Sequence, residues 1–84
     1  MSFRIEWHPQ AFKYLESLPK ELIKRVLAKL DKVVLEPFRY VEHYSGEDVY
    51  KLRVGDYRAL IDIDQKEMMI FIQQFDHRGR IYKR

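Results

Sequence analysis

The sequence contains no cysteine, an absence that removes disulfides, thiolate metal sites and a cysteine nucleophile together. A secreted miniprotein built on disulfides is therefore excluded. No apolar run is long enough to span a bilayer as a helix. The opening Met1-Ser2-Phe3-Arg4-Ile5-Glu6-Trp7-His8-Pro9 places charges where a signal peptide needs an unbroken apolar stretch, so a cytoplasmic protein with no membrane partner is expected. Repeats, linkers and low-complexity segments are also missing. The histidines His8, His43 and His77 share no ligand-like spacing, and neither a metal nor another cofactor is expected. Ser2, Ser17 and Ser45 fall in a terminus, a helix end and a turn, which gives no setting for a serine nucleophile.

What is present fits one folded domain spanning residues 1–84, since a chain of 84 residues is too short for two hydrophobic cores. Hydrophobic residues make up 46% and charged residues 35%, a balance that argues against disorder. The net charge of +3 is mild, but its distribution is uneven. The last eight residues, His77-Arg78-Gly79-Arg80-Ile81-Tyr82-Lys83-Arg84, hold four cations and no acid. Such a run is either a solvated tail or a contact for a polyanion.

Phe3 to Trp7 alternates apolar and charged residues, which predicts a short half-buried strand. Pro9 suits the first position of a helix running to about Leu18, with Ala11, Phe12, Leu15 and Leu18 on one side. Leu18-Pro19 breaks that helix. From Pro19 to Glu36, the residues Leu22, Ile23, Val26, Leu27, Leu30, Val33 and Val34 recur with helical spacing. Two amphipathic helices joined this closely form an antiparallel hairpin whose apolar face must cover something. The remaining segments supply the covered layer. Tyr40 to Tyr44 reads as a short strand before the turn-like Ser45-Gly46-Glu47-Asp48, and Val49 to Val54, Tyr57 to Asp64 and Met68 to Phe75 read as stronger strands. The expected fold is α+β: an N-terminal strand, a two-helix hairpin, then an antiparallel meander of three or four strands ending in a short basic tail or helical turn.

Alternation along Val49 to Val54 separates Lys51 and Arg53 from Tyr50, Leu52 and Val54, with the two cations about 7 Å apart. A two-residue turn at Gly55-Asp56 pairs Val54 with Tyr57, and hence Arg53 with Arg58. Cross-strand Cβ atoms lie only about 5 Å apart, so like charges there repel, and a sheet assembled for stability alone gains nothing from the arrangement. If the next hairpin turns around Gln65-Lys66, Arg58 faces Gln73, and Phe71 and Phe75 share the cationic face. Cations interleaved with aromatic rings suit a flexible single strand, with phosphates on the charges and bases on the rings. In the alternative, the phenylalanines pack beneath the tail and the arginines splay into water.

At Tyr50-Lys51-Leu52-Arg53-Val54-Gly55-Asp56-Tyr57-Arg58 and at His77-Arg78-Gly79-Arg80-Ile81-Tyr82, the sequence resembles the RelE branch of the RelE/ParE toxin superfamily, especially its archaeal members. The likeness covers nearly the whole chain. It implies a ribosome-dependent endoribonuclease that cuts messenger RNA in the ribosomal A site and is held silent by a RelB-like antitoxin. Carried over position by position, the resemblance implies that Lys51, Arg53, Arg58, Arg78 and Tyr82 form the catalytic set. The tail is shorter between Arg78 and Tyr82 than in the bacterial form. His77 stands where that form has another cation and offers a second candidate base.

Cutting RNA requires a base for the 2′-hydroxyl, charge stabilisation at the phosphate and a proton for the departing oxygen. Arg58 and Arg78 suit the second task, because a guanidinium can hold two phosphate oxygens at once. A lysine acts as a base only as the neutral amine, a form that neighbouring like charges favour. Lys51 is the candidate, with His77 in reserve. Tyr82 either stacks on a base, orients the 2′-hydroxyl or lies against the sheet. Phe71, Gln73, Phe75, Arg80, Lys83 and Arg84 are the expected RNA contacts. With no carboxylate pair in this set, positioning by the ribosome must carry much of the barrier. Two other classes stay open: a ParE-like inhibitor that binds DNA gyrase without enzymatic chemistry, and an inactive relative that acts with its antitoxin as an operator-binding repressor. An antitoxin is expected across the helices and sheet, either covering the cations or displacing the tail.

Overall fold

The computed structural model describes residues 2–45 and 49–77. The elements run β1 (Arg4–Trp7), α1 (Pro9–Glu16), α2 (Lys20–Val33), α3 (Pro37–Tyr40), β2 (Val41–Ser45), β3 (Val49–Val54), β4 (Tyr57–Asp64) and β5 (Met69–His77). This is the expected α+β order, with one short helix added where Glu36-Pro37 predicts only a break. The tail beyond His77 and the turn at Gly46-Glu47-Asp48 lie outside the described residues.

Local chemistry accounts for the helix limits. His8 holds an extended backbone and its Nδ1 accepts from the Gln10 N–H at 3.1 Å, while Pro9 takes the first helical position, where its missing N–H has no use. Ser17 closes α1 by donating from Oγ to the Tyr14 carbonyl at 2.6 Å. Pro19 then starts α2 without a side-chain cap, its carbonyl accepting from Leu22 and Ile23 at 3.0 and 3.1 Å.

The strands form one sheet in the order β1-β5-β4-β3-β2. Strands β2 to β5 are the antiparallel meander, and β1 adds to the outer edge of β5 in parallel, from Arg4 opposite Met69 to Trp7 opposite Ile72. One sheet face carries Leu52, Val54, Ala59, Ile61, Ile63, Ile70, Ile72 and Phe75. These pack with Ala11 and Leu15 of α1 and with Val26, Leu30 and Val33 of α2 in a single core. Burying an aliphatic side chain of this kind contributes roughly 1.5–3 kcal/mol, so the core commits this face to the helices.

The β4–β5 hairpin departs from the sequence reading in two ways. Its loop covers Gln65 to Met68, because Asp64 pairs with Met69. A β-bulge then shifts the register: Ile61 pairs with Ile72 but Leu60 with Gln74, which leaves Gln73 as the extra residue. Strand parity therefore reverses along β5. Phe71 stays on the face of Lys51 and Arg53, as expected, whereas Phe75 turns to the helix side.

Candidate functional site: a cationic cleft on the open sheet face

The two-residue hairpin at Gly55-Asp56 forms as the sequence predicts. Gly55 adopts φ +58°, a left-handed conformation that costs a residue with a Cβ about 1–2 kcal/mol. Val54 pairs with Tyr57 and Arg53 with Arg58, and Lys51 pairs with Leu60 on the same face. Lys51, Arg53 and Arg58 line one cleft of about 230 Å³. Tyr40 and Glu42 complete its lining. They come from the end of α3 and the start of β2.

Arg58 is the least accessible of these cations at 9% exposure. Its Nη1 donates to the Gly55 carbonyl at 3.1 Å and to the Tyr57 carbonyl at 3.0 Å. The same side chain thus ties down the hairpin and holds a fixed direction. Asp76 sits opposite Arg58 across the β4–β5 ladder, yet among the described residues no carboxylate comes within 4.0 Å of Arg58 or Arg53. A buried guanidinium without a counter-charge is costly, and an incoming anion relieves that cost. Lys51 differs. Its Nζ lies 3.6 Å from Glu42 Oε1, a pair whose side chains are 36% and 75% exposed.

Other sequence-derived candidates are placed elsewhere. Phe75 is only 5% exposed and sits among the rings of Trp7, Tyr14 and Tyr57, with centroids 6.0, 5.9 and 5.7 Å away. It is a core residue, and the bulge is the reason. Gln73, the bulge residue itself, does not face Arg58; it lines a separate groove with His8 and Gln10 beside α1. Phe71 keeps the open face but pairs with Asp62, four residues along β4 from Arg58, or about 13 Å. The interleaving of rings with cations is accordingly not found at the cleft; Tyr40 supplies an aromatic ring there instead. His77 pairs with Tyr57, their rings edge-on at 5.7 Å. Parity sets it on the helix side, away from the reacting face expected for a base. Arg78, Arg80, Tyr82, Lys83 and Arg84 lie outside the described residues.

Tyr40 and Glu42 carried no motif in the sequence. The one available signal was the short strand after Pro37, since a strand paired with β3 must set every second residue beside Lys51 and Arg53. In the structure Glu42 is the direct partner of Lys51. Among the described residues, no group of three His, Cys, Asp or Glu side chains converges as a metal site.

Helices thus cover one face of a small sheet, and three cations gather on the other. The chain is similar to one in the archaeal RelE–RelB complex of Pyrococcus horikoshii OT3, with a TM-score of 0.79 and 33% identity over 95% of this chain and 99% of that one. It is similar to a chain of the RelBE2 toxin–antitoxin complex of Mycobacterium tuberculosis, with a TM-score of 0.81 and 25% identity over 93% and 100%. A Methanocaldococcus jannaschii protein named as a RelE1 toxin is 28% identical over 99% of this chain and 98% of its own length. Residues 5–82 match the family described as the ParE toxin of type II toxin–antitoxin systems, parDE. The chain belongs to this RelE/ParE toxin family.

Proposed function

We propose that this protein is a toxin that inhibits translation in the cytoplasm by cutting messenger RNA in the ribosomal A site as a metal-independent endoribonuclease, and that a RelB-like antitoxin neutralises it. The observation that carries this reading is the cleft in which Arg53 and Arg58 lack carboxylate partners among the described residues and stand beside Lys51. In the proposed step the 2′-oxygen attacks the adjacent phosphorus, the bond from phosphorus to the 5′-oxygen breaks, and the products are a 2′,3′-cyclic phosphate and a 5′-hydroxyl whose proton comes from solvent. Lys51 takes the 2′-hydroxyl proton. Arg53 and Arg58 hold the extra negative charge that develops on the phosphoryl oxygens. Arg58 suits this role because its Nη1 is already anchored, which leaves Nε and Nη2 to face an anion without reorganisation. Arg78 and Tyr82 enter as a further stabiliser and as a stack or orienting group, with Phe71, Arg80, Lys83 and Arg84 as outer RNA contacts. Nothing in this set forms a carboxylate acid–base pair, so alignment of the message by the ribosome supplies a large share of the rate.

A neutralising partner also has a physical basis. Phe12, Leu27, Leu35 and Phe38 remain exposed on or beside the helices, and exposed large apolar side chains on so small a protein mark a surface for another chain. Solved relatives are RelE chains in complex with RelB.

A second reading rests on the family match itself, which is described as a ParE toxin. A ParE-like protein would inhibit DNA gyrase by binding it. Purified protein added to ribosomes carrying a defined message, and separately to gyrase with supercoiled DNA, discriminates between them. Cleavage at the A-site codon supports the first reading and trapped gyrase–DNA complexes the second. Neither result would point to a repressor that acts only with its antitoxin. Cutting of naked RNA as fast as ribosome-bound message would remove the role given to the ribosome.

A further inference from the structure

The cleft is not the end of the cationic surface. Arg53 lines it on one side and also lines a second groove, of about 350 Å³, whose other wall is formed by Arg25, Lys29 and Lys32 of α2. These three recur at helical spacing on one face and span roughly 10 Å along the axis. Two contacts tie that face to the cleft. The Arg25 Nη1 lies 4.0 Å from the position a Cβ would take on Gly55, so it reaches the hairpin turn that pairs Arg53 with Arg58. The Lys29 Nζ sits 5.2 Å from the centroid of Tyr40, the aromatic wall of the cleft. Arg25 and Lys32 are exposed and Lys29 is half-buried, and among the described residues none of the three has a carboxylate within 4.0 Å. Glu21, one turn before Arg25, leaves it unpaired.

We propose that the Arg25-Lys29-Lys32 face of α2 is a second RNA-backbone contact, continuous with the cleft through Arg53, which sets affinity for RNA and takes no part in the cut. This rests on the reading of the cleft as an RNA site. Charge and composition favour a nucleic-acid occupant over a protein one. Protein interfaces centre on aromatic and apolar anchors and are depleted in lysine, whereas this groove offers only Ala28, Val54 and Gly55 besides its cations. A row of cations on a rigid helix, without carboxylate partners among the described residues, matches the regular phosphates of an RNA backbone, which are read without regard to sequence.

The test compares the Arg25→Gln/Lys29→Gln/Lys32→Gln variant with a Lys20→Gln/Lys24→Gln control, whose two lysines are exposed elsewhere on α2. Glutamine keeps helix propensity, and circular dichroism with thermal melting checks the fold of both. Binding is measured by co-sedimentation with message-free ribosomes, and by fluorescence anisotropy on a short single-stranded RNA, across a series of salt concentrations. The triple variant is expected to bind at least tenfold more weakly and to show a slope of log affinity against log salt reduced by about 2, as for the loss of two to three phosphate contacts. The control keeps the wild-type slope to within about half a unit of its own smaller charge change. Weakening on ribosomes alone identifies structured ribosomal RNA as the source of the backbone, and equal weakening on the short RNA identifies the flanking message. In single-turnover cleavage at saturating ribosomes the triple variant retains the wild-type rate within about twofold. Unchanged binding and slope overturn the proposal. Because binding is read without cleavage, wild-type protein that binds RNA but does not cut it would defeat the nuclease reading and leave this one standing.

Discussion

Replacing Arg58 by alanine separates its two duties, because their energies differ. The structural duty is two hydrogen bonds from Nη1, to Gly55 and Tyr57, each contributing about 1 kcal/mol net. Removing the side chain also removes a buried cation and its cross-strand repulsion with Arg53, which offsets part of that loss by roughly 0.2–1 kcal/mol or more. The net destabilisation should stay below about 2 kcal/mol, a fall in Tm of no more than about 15 °C for a chain this size. A domain with ordinary stability of about 5–15 kcal/mol remains folded after such a loss. The proposed chemical duty is larger. One preorganised donor at a developing oxyanion is worth about 10²–10³ in rate, so Arg58→Ala should cut single-turnover cleavage of ribosome-bound message by that factor while the protein still melts cooperatively. Arg58→Lys should restore the charge but not the two-pronged geometry, and recover only part of the rate. Primer extension across the A-site codon gives the rate, and circular dichroism gives the melt. Full activity of Arg58→Ala would refute the mechanism, as would a loss no larger than its unfolded fraction explains.

Phe75→Ala should destabilise the fold by about 3–5 kcal/mol, since it empties a site between three rings, while Phe71→Ala on the open face should cost roughly half of that or less; urea melts compare them. Gly55→Ala meets no clash, its new Cβ lying in ordinary van der Waals contact with Arg25 at 4.0 Å, so its cost should be the left-handed backbone alone, about 1–2 kcal/mol in the same assay. Glu42→Gln should leave stability within about 0.5 kcal/mol, because the Lys51 pair is solvent-exposed. It should tighten binding of a short RNA by removing a negative charge from the cleft, and weaker binding in an anisotropy titration would show that Glu42 holds Lys51 for RNA instead.

The local rules carried far in this chain. Helical spacing in α2 and alternation in β3 and β4 repeat over enough residues to outweigh single exceptions, and both strands begin and end where the pattern says. Gly55 fixed the short turn, and a short turn leaves only one pairing for Arg53 and Arg58. The cation cluster is therefore legible in the sequence itself. The aromatic half of the expected site was not, because one extra residue in β5 reverses every side chain after it, and nothing in Gln73-Gln74 distinguishes a bulge from regular pairing.

What the amino-acid order determined alone was thus the identity and limits of most elements and the pairing across one tight hairpin, all interactions between residues close in the chain. Only the tertiary structure decided that β1 runs parallel along β5, that Phe75 belongs to the core, that Tyr40 and Glu42 close the cleft, and that Arg25, Lys29 and Lys32 extend its charge. Those contacts join segments far apart in sequence. Their register depends on how whole layers pack, and local periodicity holds no record of that.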